Sequence, residues 1–140
     1  MGTEWYTQAY SNGEEQFVEI QSVLSRYQTK VEEKRDVLVL TLPEDDVDMY
    51  MDLSSDKVSG LMISRPLVSA TLDRVIYEIM QCGRFVFYAP DAAFPIALSP
   101  DVTHHLPEDM LNALGKPEIA DSLEHFSYLL DEMYAQGYTK

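Results

Sequence analysis

At 140 residues and 46% hydrophobic, the chain has the length of one ordinary domain and can bury roughly two thirds of its unfolded surface in one core. Its 24 acidic residues against 10 basic ones give a net charge of −14, a field that repels phosphate backbones and anionic lipid heads and so argues against nucleic-acid and membrane binding. Cys82 is the only cysteine, which excludes an intramolecular disulfide, and no apolar run approaches the ~18 residues of a membrane span.

Met1 to Tyr10 lacks the basic and apolar regions of a secretory leader, so a cytoplasmic location is expected. Residues 4–10 alternate weakly and carry Trp5, Tyr6 and Tyr10. Segment 1–12 therefore fits either an edge strand or an aromatic arm folded over the domain, ended by Ser11-Asn12-Gly13. From Glu14 to Tyr27, Phe17, Val18, Ile20, Val23, Leu24 and Tyr27 recur at helical spacing and predict a first helix. Its charged tail fits a continuation of that helix or a strand near Thr29 to Val31.

Asp36 to Leu42 is a continuous apolar run stopped by Pro43 and the acidic turn Glu44-Asp45-Asp46, as expected of a strand. Val47 to Leu53 then alternates, with Val47, Met49, Met51 and Leu53 on one face and Asp48, Tyr50 and Asp52 on the other. Val58 to Ile63 reads as the next strand, and the short turns between these runs predict an antiparallel meander.

Ser64 to Pro90 is expected to organise the core. Pro66 suits a first helical turn, Leu67, Val68, Leu72, Val75, Ile76, Ile79 and Met80 form the apolar stripe, and Gly83 stands where a left-handed cap is wanted. Phe85 to Ala89 follows as a strand buried on both faces. Phe94 to Leu98 fits a hairpin partner for it, held to the sheet edge by Pro95. A short helix is predicted from Pro107 to Leu114, closed by Gly115, and a last one from Pro117 to Gly137 with Ile119, Leu123, Phe126, Leu130 and Met133 inward. Together these elements predict an α+β single domain over 1–140, with a mostly antiparallel sheet of about five strands and helices packed mainly on one side.

His104 and His105, with Asp101, Glu108 and Asp109, are the candidate metal ligands. Adjacent histidines cannot both face one ion from a regular element, and neither an HxxxH spacing nor a cysteine partner is present, so no metal or other cofactor is expected. The acids at 44–52 lack the alternating oxygens and central glycine of a calcium loop. GxSxG, Walker A, GxGxxG, HExxH and CxxC are all missing, and a helix C-terminus at Cys82 would raise its thiol pKa.

Glu44, Asp45, Asp46, Asp48, Tyr50 and Asp52 are the candidate partner-binding residues: carboxylates flanking an aromatic anchor suit Arg and Lys side chains. The function expected is a non-catalytic acidic module that masks a basic surface on a protein partner, most concretely an immunity-type inhibitor of a bacterial toxin or effector. A small metal-dependent hydrolase using the 101–109 loop, an adaptor and a nucleic-acid mimic are the alternatives. Homodimer formation is compatible with all of them.

Overall fold

The computed structural model describes residues 4–27, 30–32, 37–42, 46–51, 57–64, 69–89 and 92–137. In chain order the elements are β1 (Trp5–Ser11), β2 (Glu14–Glu15), α1 (Gln21–Leu24) running into a 3-10 turn at Ser25–Tyr27, β3 (Lys30–Glu32), β4 (Val37–Thr41), β5 (Asp46–Met51) and β6 (Gly60–Ser64). They continue with α2 (Ala70–Met80), β7 (Phe85–Tyr88), β8 (Ile96–Ala97), α3 (Pro100–His105), α4 (Glu108–Leu114), β9 (Glu118–Ile119) and α5 (Leu123–Gly137). The fold is α+β. Its mixed, mostly antiparallel sheet runs β3-β4-β5-β6-β1-β7-β8-β9 with β2 paired to β1, more strands than the five expected because several are only two or three residues long.

Three crossovers explain the topology, the first taking the chain from β1 in mid-sheet by way of β2 and α1 to β3 at the edge. β6 and β7 both pair antiparallel with β1 and so run parallel to each other, and a parallel relation requires a crossover, which α2 supplies. β8 and β9 pair in parallel, and α3 with α4 form that third connection. The meander β3 to β6 is antiparallel throughout, as its turn spacing predicts.

The core lies on one face of the sheet. Trp5, Ala9, Met49, Leu61, Ile63, Phe85 and Phe87 meet Val23 and Leu24 of α1, the apolar stripe of α2, and Phe126, Leu130 and Met133 of α5. Phe87 packs edge-on to Trp5 at 5.3 Å and to Phe126 at 5.7 Å, so β7 and α5 share one aromatic centre. A smaller cluster on the opposite face joins Val86 and Ala97 to Val102 and Leu106, with Met110 and Leu111 of α4 against it. Burial of Phe85, Val86 and Phe87 confirms a strand covered on both faces.

Several expectations need correction. Trp5–Ser11 is neither an arm nor an edge: it is a central strand, hydrogen-bonded on both sides. Asn12 and Gly13 take φ of 52° and 82°, the left-handed pair of a tight hairpin turn, and return the chain into β2. The helix expected over 14–27 starts only at Gln21, because Gln16 N–H bonds to Ala9 O and Val18 pairs with Val58 in both directions.

Ser69 is extended at φ −153° and its Oγ accepts the Leu72 N–H, so α2 begins there rather than near Pro66. Pro66, Leu67 and Val68 lie outside the described residues. Gly83 is not left-handed. A Cβ on it would lie 2.6 Å from Val18 Cγ2, so the residue serves close approach of the 16–18 segment. β8 is not an edge, since β9 lies beyond it, and α5 starts at Leu123 because Glu118 and Ala120 donate instead to Pro95 O and Ala97 O. Ile119 consequently packs in the smaller cluster, not on the last helix.

Candidate functional site

β5 alternates as its sequence requires: Val47, Met49 and Met51 are buried, Asp48 is exposed and Tyr50 is half-buried on the opposite face. Asp46 belongs to β5, paired with Thr41, while Glu44, Asp45 and Asp52 lie outside the described residues. The face that carries Asp48 and Tyr50 is the one opposite the main core.

Sheet register extends this face in a way that no single segment reveals. Tyr50 is paired with Met62, Met62 with Tyr6, and Tyr6 with Tyr88, so four large side chains stand in one line across β5, β6, β1 and β7. All four are half-buried. At the usual strand spacing the row is ~14 Å long. Tyr6 and Tyr88 stack with centroids 5.3 Å apart and planes at 16°. Beside them Tyr10 OH donates to Gln8 Oε1 at 3.2 Å. Tyr88 also touches the cluster under α3 and α4, so those helices close one end of the row, while at the other end Tyr50 is paired with Val37 of β4. Burial first, then Tyr10 and Tyr6, push the Tyr88 hydroxyl above its ordinary 10.0.

The histidine pair sits elsewhere. Residues 99–105 form no loop: Ser99 Oγ accepts the Asp101 N–H, Pro100 occupies the first turn, and α3 carries His104 and His105 at its last two positions. Ser99-Pro100-Asp101 is a helix-start signal legible in the sequence. His104 is exposed, whereas the His105 side chain is only 16% exposed and engaged on both sides. Its Nδ1 accepts the Asn12 backbone N–H at 3.0 Å, and its Nε2 stands 3.6 Å from Asp101 Oδ1.

Asp101 Oδ2 accepts from Arg84 Nε at 2.9 Å, and that bond holds its carboxyl below the ordinary 3.8. Arg84 N–H in turn donates to Gln16 Oε1, and Gly13 N–H to His105 O. The network ties the β1–β2 turn to α3 and β7, so its geometry accounts for His105 as a fastening. Among the described residues no three His, Cys, Asp or Glu side chains gather closely enough to hold a metal ion.

Cys82 lies in the turn after α2, its Sγ 3.5 Å from Glu78 O. Burial and then Glu19 raise its thiol pKa, Arg26 opposes them, and the balance favours the thiol over the nucleophilic thiolate. His125, in the first turn of α5, makes a different contact, its Nδ1 3.1 Å from Oδ1 of exposed Asp121, which precedes the helix. No described helix is long and apolar enough to cross a membrane.

No family model, curated protein or solved structure matches the chain.

Proposed function

We propose that the chain is a non-catalytic binding module whose acidic surface masks a basic surface on a protein partner, most concretely an immunity-type inhibitor that occludes a bacterial toxin or effector. The observation that carries this reading is the outward face of β5, where exposed Asp48 stands two residues from Tyr50 on a part of the sheet that none of the described helices covers. A carboxylate beside an aromatic ring meets Arg or Lys with both charge and a π face. The net charge of −14 adds long-range attraction for a basic protein and speeds its encounter.

Affinity capture with the full chain, from lysate and from secreted fractions, tests the reading at low and at ~0.15 M salt. Recovery of one basic protein at stoichiometric yield, retained at the higher salt, is the result expected. Release of everything at ~0.15 M salt would reduce the charge to a solubilising surface and remove the masking role.

A further inference from the structure

We infer that the row Tyr50–Met62–Tyr6–Tyr88 is the seat of an arginine-bearing segment of the partner, with Asp48 as its flanking carboxylate. This rests on the binding reading above and names the surface and the chemistry it selects. The register aligns three tyrosines and a methionine on adjacent strands, and α3 with α4 wall one end. Thioether and phenol rings present polarisable, half-apolar surface along the whole ~14 Å of the row.

Three occupants compete for such a surface. A second copy of this chain would bring another −14 of charge against the first, so like-charge repulsion opposes it. A purely apolar segment would gain nothing from Asp48 or from the net charge of −14. Arginine uses both features: its planar guanidinium stacks on tyrosine faces and forks onto a carboxylate, and it is more weakly hydrated than the lysine ammonium, so it gives up less on leaving water. Asp48 lies two residues from Tyr50 along β5, about 7 Å away, within reach of an arginine stacked on that ring.

The test is a titration of the ¹⁵N-labelled full chain with acetyl-Arg-Gly-Arg-Gly-Arg-amide and, separately, with its lysine counterpart. Expected are shifts centred on Tyr6, Tyr50, Met62 and Tyr88, several-fold tighter binding of the arginine peptide, and about tenfold weaker binding by Met62→Arg. Tyr50→Arg serves as the second variant should Met62→Arg alter the melting temperature. Shifts spread evenly over the acidic surface, equal binding of the two peptides, or binding indifferent to both variants would overturn the assignment. The two readings fail separately. A captured basic protein held by Met62→Arg as tightly as by the wild type but weakened by Asp48→Lys would keep the masking function and discard the row, whereas row-specific arginine binding with no captured protein would keep the row and discard the masking function.

Discussion

Tyr6 and Tyr88 stack across the β1–β7 pairing, their ring centroids 5.3 Å apart and their planes 16° from parallel. The stack lies at the border of the part of the outer sheet face that α3 and α4 cover, so Tyr88 is partly enclosed and its hydroxyl is hard to ionise. Tyr10 and Tyr27 are likewise pushed above 10.0, chiefly by burial and then by Glu15 and Glu78 respectively.

A group with a raised folded pKa binds its proton more tightly in the folded state. The stability it contributes is complete below the unfolded value of about 10 and is lost as pH rises through the folded values. Thermal melts should therefore decline above about pH 10. In Tyr6→Phe, with one neighbouring phenolate removed, the Tyr88 ring carbon should titrate at lower pH, and an unmoved titration would contradict the account.

Thr7 is fully buried between Leu61 and Phe87 of the flanking strands, and its Oγ1 has no hydrogen-bond partner among the described residues. Valine has nearly the same shape and no hydroxyl to desolvate. Thr7→Val should stabilise the fold by about 1 kcal/mol in urea unfolding, whereas Thr7→Ser, which keeps the hydroxyl and loses a methyl, should destabilise it by a similar amount.

Asp73 in the first turn of α2 accepts a 2.8 Å hydrogen bond from Ser127 Oγ on α5. Burial raises its pKa above 3.8, the Ser127 bond opposes that, and Asp131 adds to it. The folded state then binds this proton more tightly than the unfolded chain, so stability from this site is present below pH 3.8, falls as pH rises through the folded value, and stays lost at neutrality. Asp73→Asn should raise the melting temperature at pH 7, with the difference from wild type shrinking as pH falls through the raised folded value towards 3.8.

Gly83 faces Val18 so closely that an added methyl would sit 2.6 Å from Val18 Cγ2, with Gln16 Oε1 at 3.1 Å. Gly83→Ala should cost about 1–3 kcal/mol by forcing the 16–18 segment off the α2–β7 turn. Gly83→Ala combined with Val18→Ala should recover part of that loss, since the second change removes the clashing atom; no recovery would place the strain elsewhere.

Those residues also show where sequence reasoning worked and where it stopped. The stripe Leu72, Val75, Ile76, Ile79, Met80 and the run Phe85–Phe87 were legible because local periodicity and burial coincide there. Val47, Met49 and Met51 were legible for the same reason. Phe17, Val18, Ile20, Val23 and Leu24 also repeat at helical spacing, yet Val18 pairs with Val58 forty residues on, a choice made by tertiary hydrogen bonding and not by spacing. The sequence of β1 alternates only weakly because its buried side is Trp5, Thr7 and Ala9, two of them small and one polar. Asp48 and Tyr50 could be placed on one face from alternation alone. That Met62, Tyr6 and Tyr88 continue their row could not, because inter-strand register depends on chain segments tens of residues apart.

The most direct test of the masking role is the affinity of the captured basic protein for the wild-type chain and for Asp48→Lys combined with Tyr50→Ala, measured by calorimetry at ~0.15 M salt. Asp48 is exposed and Tyr50 half-buried on the outer face, so the double variant should fold with a near-normal melting temperature. The account predicts at least ~30-fold weaker binding, about 2 kcal/mol, as expected when an aromatic anchor and its charged neighbour are removed together. Unchanged affinity in a folded double variant would contradict the claim that this face of β5 meets the partner.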